Sequence, residues 1–266
     1  MQKLIFFSLF IFLFSNSYSQ VVNIEKKRKE YKQGFQGSIS LQFGIIQNTS
    51  QILQGSNTAH LQYTKGKSTL LILNDYSLMK VQKGEDDFDL INKNFQHLRF
   101  NYSIIDTNAI NFEFLIQRQQ NKIKFLQFRF LAGTGFRFRL INNDFIQFYI
   151  APLIMYENEI LSDSAQTTTK MLKGNLYSSL YINLTEDISF SNVIYYQPAI
   201  SNLNNYADFE RFIDYRISSE SSFSIKILKN LKFSVVFKLA YDSKPPIELI
   251  SNPLFYDLTN VLTYKF

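Results

Sequence analysis

The side chains with the greatest chemical reach recur at every second position instead of gathering in a motif. His97, Arg99 and Asn101 form one such set, Glu113, Gln117 and Gln119 a second, and Arg129, Arg137 and Arg139 a third. A spacing of two puts each set on one face of a β-strand. If consecutive strands are neighbours, the three sets form one polar wall. Two readings of that wall follow from the residue types. It is a network of ion pairs and hydrogen bonds filling an interior, since opposite charges pair across strands. Alternatively it is a lining that passes small solutes, anions above all, because arginine rings favour them. Glu210, Asp214, Arg216, Lys226, Lys238, Asp257 and Lys265 share the polar parity and carry both signs.

Catalysis and metal binding find little in the same residues. His60 and His97 are the only histidines, and neither has a serine and an acidic or amide partner in pattern. A lipid-modifying enzyme would need its histidine on the lipid side, whereas both take the polar parity. The expectation is therefore no enzyme and no catalytic residue. Cysteine is absent, which removes disulfides, thiolate metal sites, a thiol nucleophile and a lipidated cysteine. No His or Cys cluster has metal-ligand spacing, and Glu85-Asp86-Asp87 with Asp89 reads as a solvated acidic loop ahead of a divalent-cation site. Gly133-Thr134-Gly135 lies within a strand pattern, so it marks a bend or a close approach and not a phosphate loop. The basic run Lys26-Lys27-Arg28-Lys29 precedes the first strand as a solvated segment, with no fold to present it to nucleic acid. No cofactor is expected.

The elements that position these residues are strands throughout. Charged residues are few and Phe and Tyr many, a balance suited to a pleated, half-buried surface. Phe35, Ile39, Leu41, Phe43 and Ile45 share one face of the first segment and Gln36, Ser38, Ser40 and Gln42 the other. The same alternation reaches the end of the sequence. It predicts an all-β chain, a transmembrane antiparallel β-barrel of about 12 strands. The proposed spans are approximately 35–46, 56–65, 68–80, 94–105, 109–120, 123–141, 144–157, 171–185, 186–200, 208–228, 231–242 and 255–266. Tight turns at Lys65-Gly66-Lys67, Asp106-Thr107-Asn108, Asn142-Asn143, Thr185-Glu186-Asp187 and Lys229-Asn230 fall on one side. Long connections, 47–55, 81–93, 158–170, 201–207 and 243–254, fall on the other, the asymmetry of outer-membrane barrels.

Residues 1–19 carry the basic, apolar and small-residue regions of a secretory signal peptide. The apolar run is well short of the roughly 20 residues of a spanning helix. The expected organisation is a signal peptide at 1–19, a short periplasmic segment at 20–33 and the barrel at 34–266. Bulk favours lipid on the apolar face: Phe128, Phe130, Phe136, Phe138 and Leu140 on one strand and Phe233, Val235, Phe237, Leu239 and Tyr241 on another would overfill a closed interior. Tyr63, Tyr102, Tyr196, Tyr241 and Tyr264 near strand ends fit interfacial girdles. Tyr264 and Phe266 close the last strand like the C-terminal signature that barrel-assembly machinery recognises.

A family resemblance rests on three blocks: His97-Leu98-Arg99-Phe100-Asn101-Tyr102, Glu113-Phe114 with Gln117 and Gln120-Asn121, and Arg129 through Arg137 with Gly133-Thr134-Gly135. With Asn23-Ile24-Glu25, Gly34-Phe35-Gln36-Gly37, Tyr241 to Pro246 and the closing Tyr264-Lys265-Phe266, from about Val22 onward they resemble the YdiY-like salt-induced outer-membrane proteins, a domain of unknown function. Phe100 and Phe136 depart from that pattern, where Tyr and Pro are expected. The resemblance implies an outer-membrane barrel and brings no settled activity. The expected function is a narrow small-solute pore or an envelope-integrity barrel in the cell outer membrane, its partners membrane lipid, the barrel-assembly machinery and small solutes. A closed structural barrel with binding loops is the alternative, and a lipid-modifying enzyme stands behind both.

Overall fold

The computed structural model describes residues 33–47, 51–83, 87–105, 109–122, 125–162, 166–204, 210–244 and 254–265. Residues 1–19, expected to be a signal peptide, the basic run, Glu85-Asp86, Asp106-Thr107-Asn108 and Phe266 lie outside the described residues. Twelve strands follow one another: β1 (Gly34–Gln47), β2 (Gln51–Lys65), β3 (Ser68–Lys83), β4 (Asp87–Ser103), β5 (Ile110–Asn121), β6 (Leu126–Asn142), β7 (Ile146–Leu161), β8 (Thr168–Asn183), β9 (Ile188–Asn202), β10 (Tyr215–Leu228), β11 (Leu231–Asp242) and β12 (Leu254–Lys265). Each pairs antiparallel with the next. β1 closes on β12 through Ser38↔Lys265 to Leu41↔Leu262, giving one closed barrel. This seam is short, four register pairs, and removes the free edges of β1 and β12 over those residues.

Alternation sorts the faces as the composition requires. On β1 Phe35 is 73% exposed while Ser38 is 5% exposed, so the greasy parity looks outward. Phe35 stacks on Tyr63 at 4.4 Å between ring centroids, and with exposed Tyr102 and Tyr264 they form an aromatic band at the short-turn end. A second band lies toward the other end, where Tyr196, Tyr215 and Tyr241 sit ring to ring at 5.7 and 5.8 Å. From Leu231 to Tyr241 along β11, about 3.3 Å per residue and a tilt near 40° give a rise of roughly 25 Å, the height of a barrel's apolar belt.

Local chemistry fixes the short turns. Gly66 supplies φ +58° between β2 and β3, a conformation a two-residue hairpin demands and a side chain resists. At the β6–β7 turn Asn143 Oδ1 accepts hydrogen bonds from the backbone N–H of Phe145 (3.1 Å) and Ile146 (2.7 Å). Thr185 Oγ1 accepts one from Ile188 N–H (3.0 Å) after β8. These are side-chain turns of the Asx and Ser/Thr kind.

Three expected long loops are largely strand. β1 runs to Gln47 and β2 starts at Gln51; β3 and β4 extend to Lys83 and from Asp87; β7 and β8 extend to Leu161 and from Thr168. Above the apolar belt both faces of a hairpin meet water or polar groups. Backbone pairing therefore continues after the apolar alternation has faded. The opposite departure occurs at β10, which begins at Tyr215 and not at 208, because residues 211–213 form a turn with Phe212 at φ +64°.

β6 and β7 approach unusually closely. A Cβ on Gly133 would stand 2.6 Å from Met155 Cγ, and one on Gly135 would meet Pro152 O and Leu153 Cα. Register pairs run from Gly135↔Leu153 directly to Phe138↔Ile150. Pro152 has no N–H for the ladder at that gap, and the two glycines let the facing strand settle against them. The close approach expected of Gly133-Thr134-Gly135 is what the barrel contains.

Candidate functional site in the barrel interior

Much of the interior charge falls into two clusters bounded by an apolar layer, with Arg137 and a Lys238–Glu220 pair at 3.9 Å outside them. In the first, Arg99 on β4 and Glu113 on β5 are 1% and 0% exposed and pair at 3.4 Å. Tyr177, on β8, donates its hydroxyl to Glu113 Oε2 (2.8 Å) and accepts from Arg99 Nη1 (3.2 Å). Arg99 Nε donates to His97 Nε2 (3.3 Å), and the guanidinium lies 5.4 Å from the Tyr177 ring centroid. Three strands separate β4 from β8 in the barrel order, so this contact is made through the bore and not along the wall.

The second cluster is built around two carboxylates of β7. Arg129 on β6 holds Glu159 through Nη2 at 2.6 Å and Nε at 2.7 Å. Lys173 on β8 holds Glu157 at 2.8 Å. Arg216 reaches from β10 to both: its Nη1 lies 3.1 and 2.9 Å from the two Glu157 oxygens, and its Nη2 lies 3.1 Å from Glu159 Oε2. The same guanidinium bonds Asp242 of β11, directly opposite it in register, at 2.7 Å. β8 and β9 stand between β7 and β10. One planar fork thus spans a chord of the barrel and bonds three carboxylates, a task for Arg and not for Lys.

Between and beside these clusters the lining is apolar. Leu115, Leu153, Met155, Val193, Tyr195 and Ala240 form one buried group with Tyr177, and Leu71, Leu73 and Phe95 form another. This corrects the expectation that the inward parity is hydrophilic throughout. Inward residues from strands all round the wall, among them Ser38, Gln62, Leu71, Glu113, Val193, Ser222 and Val236, are each less than a tenth exposed. An open aqueous channel would wet such positions. Barrels of about 8 strands fill with side chains and those of 16 to 18 keep a channel; at twelve, long Arg, Lys, Glu and Tyr side chains close the gap.

The sequence-derived residues meet different fates. His97, Arg99 and Glu113 come together. Gln119 Oε1 accepts from Gln117 (3.3 Å) and Arg129 (3.5 Å), which joins Gln117 and Gln119 to the second cluster through Arg129. Asn101 is buried on the same face. Arg137 is buried with its guanidinium 3.5 Å from the Tyr149 ring centroid, and Arg139 is half-buried beyond it on β6. Arg216 and Asp214 have buried or half-buried settings, whereas Glu210 and Lys226 are exposed. Glu157, Glu159, Lys173 and Tyr177 were not among the expected site residues. Their parity carries the signal, since Glu157 and Glu159 share the face of Leu153 and Met155. The expected anion-selecting arginine lining is also revised: Arg129, Lys173 and Arg216 are matched by Glu157, Glu159 and Asp242, which leaves the cluster without net charge.

Tyr177→Phe tests the first cluster. It removes a donor from Glu113 and an acceptor from Arg99 without changing shape, and the expected loss is about 1–3 kcal/mol, read as a lower denaturant midpoint for loss of the heat-modifiable folded form.

A closed antiparallel barrel, apolar outside and charged within, defines a transmembrane β-barrel of the outer-membrane type. The chain belongs to the family described as protein of unknown function, DUF481, whose model matches residues 55–266. That agrees with the resemblance carried by the His97, Glu113 and Arg129 blocks and does not extend to its Val22–Gly37 portion. No curated protein matches the sequence at a significant level. Among solved structures the chain is similar to an outer membrane channel from Pseudomonas putida F1, at TM-score 0.53 and 9% identity, over 88% of this chain and 95% of that one. It also resembles the translocator domain of the autotransporter NalP from Neisseria meningitidis, at TM-score 0.49 and 8% identity over 91% of each chain. The NanC porin matches at TM-score 0.49 and 6% identity, over 86% of this chain and 98% of that one. At 9% identity the likeness to the Pseudomonas putida channel is one of fold.

Proposed function

We propose that the mature chain resides in the outer membrane as a barrel whose bore is closed at rest and passes small solutes only when its inner ion-pair cluster rearranges. Residues 1–19 direct export and are removed, and Tyr264 with Phe266 serves as the signature read by the assembly machinery. No catalytic residue or metal enters this reading. His97 faces the lumen and is held by Arg99, away from any lipid substrate.

The observation that carries the reading is the Arg216 fork crossing the bore to Glu157 and Glu159. A plug meant only to be permanent is better made of apolar side chains, because buried ion pairs recover their desolvation cost poorly. Ionic bonds can instead be exchanged for water or for a charged solute. The apolar layer around Leu153 and Met155 favours the second reading, a permanently closed structural barrel. Planar-bilayer recording of the purified barrel separates them. The expected result is long silence broken by brief, small steps. Continuous large conductance in the wild type overturns the closed bore; silence in both wild type and Arg216→Ala overturns solute passage.

A further inference from the structure

The outward face carries cations that the interior clusters do not use. Along β5 the outward residues run Phe112, Phe114 and Ile116, all apolar, and then Arg118 and Gln120. Counting up each strand from its short turn, Arg118 stands at about the height of Tyr76, Tyr156, Tyr196 and Tyr241, roughly 25 Å above the turns. That is the edge of the apolar belt on the long-connection side. Arg118 is exposed. Its guanidinium lies 5.9 Å from the Phe128 ring centroid, and it has no carboxylate partner among the described residues. Register neighbours on either side are Gln96 and Phe130, and Asn158 with Lys170 continues the row. Lys122, just beyond the end of the same strand, is exposed, as is Lys170. Gln96 and Gln120 beside Arg118 present exposed amides, and the buried amide oxygens of Asn94 and Asn158 find no donor among the described residues.

We infer that this face, centred on Arg118 with Lys122, Lys170 and the flanking amides, binds the phosphorylated headgroup of a glycolipid in the leaflet at the long-connection side. The inference rests on the membrane-spanning reading of the barrel and is independent of whether the bore conducts. Charge complementarity selects the occupant. A guanidinium at the headgroup boundary takes phosphate through a two-pronged, charge-assisted fork, while the Phe128 ring beside it, on the long-connection side of Phe130, supports the cation. Amide groups beside it suit hydroxyl- and amide-bearing sugars better than the small glycerol of a phospholipid.

The test uses the full-length mature barrel in detergent, with bis-phosphorylated lipid A, dephosphorylated lipid A and phosphatidylglycerol as probes. Binding is read by native mass spectrometry. Wild type is expected to retain bis-phosphorylated lipid A at least about fivefold better than either other lipid, and Arg118→Gln to lose most of that preference. Lys229→Gln, at the opposite end, should leave it unchanged. If Arg118→Gln lacks the heat-modifiable folded form, Arg118→Lys replaces it, keeping the charge and losing the fork, with an intermediate preference expected. Equal retention by wild type and the Arg118 variant overturns the site. Equal retention of phosphatidylglycerol overturns the glycolipid assignment in favour of a general anionic annulus. A wild-type chain that needs no detergent sinks the membrane reading itself.

Discussion

Arg216→Ala is expected to destabilise the folded barrel by about 3–5 kcal/mol, the cost of leaving buried charge unmatched, and to raise the frequency of conducting steps at least about tenfold. Glu157, Glu159 and Asp242 all lose the same partner, and Arg129 and Lys173 cannot follow it across the bore. Removal leaves the cluster one negative charge in excess, so the opened pathway should favour cations, as acidic rings do. A coupling of about 1.4 kcal/mol already moves a closed-to-open ratio tenfold, less than the fork's expected contribution. Arg216→Lys should fall between, since a single ammonium cannot satisfy three carboxylates in fixed geometry. Denaturant titration of the heat-modifiable form and single-channel recording measure the two halves separately. A large stability loss with unaltered conductance would mark the cluster as packing alone.

Gly135→Val is expected to abolish the folded form. The added Cβ meets Pro152 O and Leu153 Cα, which are backbone atoms of β7 and cannot swing aside as a side-chain tip can. Relief requires β6 and β7 to separate beside the stretch where ladder pairs are already missing between Gly135↔Leu153 and Phe138↔Ile150, at a cost of several kcal/mol, in the range of about 3 or more for severe overpacking. Gly55→Ala supplies the control: nothing lies within 4 Å of its added carbon, and its folding should match wild type. A barrel that folds normally with Val at 135 would remove the close approach of the two strands.

How far the fold could be read from residues alone depended on lipid. Where a strand crosses the apolar belt, as β1 and β11 do, one face must be greasy, and the alternation of Phe35 to Phe43 or Phe233 to Tyr241 announces strand and orientation together. Above the belt that requirement lapses. The ends of β3 and β4 around Lys83 and Asp87 and the extension of β7 through Asn158 to Leu161 therefore carry the sequence pattern of a loop. The same lapse hid half of the site. Ending the seventh strand at 157 left Glu159 in a connection, and Lys173 and Tyr177 carried no local mark beyond parity. Parity placed Arg99, Glu113 and Arg129 on the inner face correctly. It gives no distance around a circumference, so the partnership of Arg216 with Glu157 was beyond it.

The interval between the two aromatic bands has a thermodynamic corollary. Roughly 25 Å of apolar wall is a few ångströms shorter than the hydrocarbon of an average bilayer, about 30 Å. Phe35 and Tyr63 at one margin and Tyr196 and Tyr215 at the other would drag polar headgroups inward in a thick sheet, deforming it around the protein. Rigid strands cannot lengthen to compensate as a tilted helix can by straightening. Hydrophobic mismatch alone therefore biases the chain toward the thinner of two available membranes, a sorting preference written into its girth of tyrosine and phenylalanine.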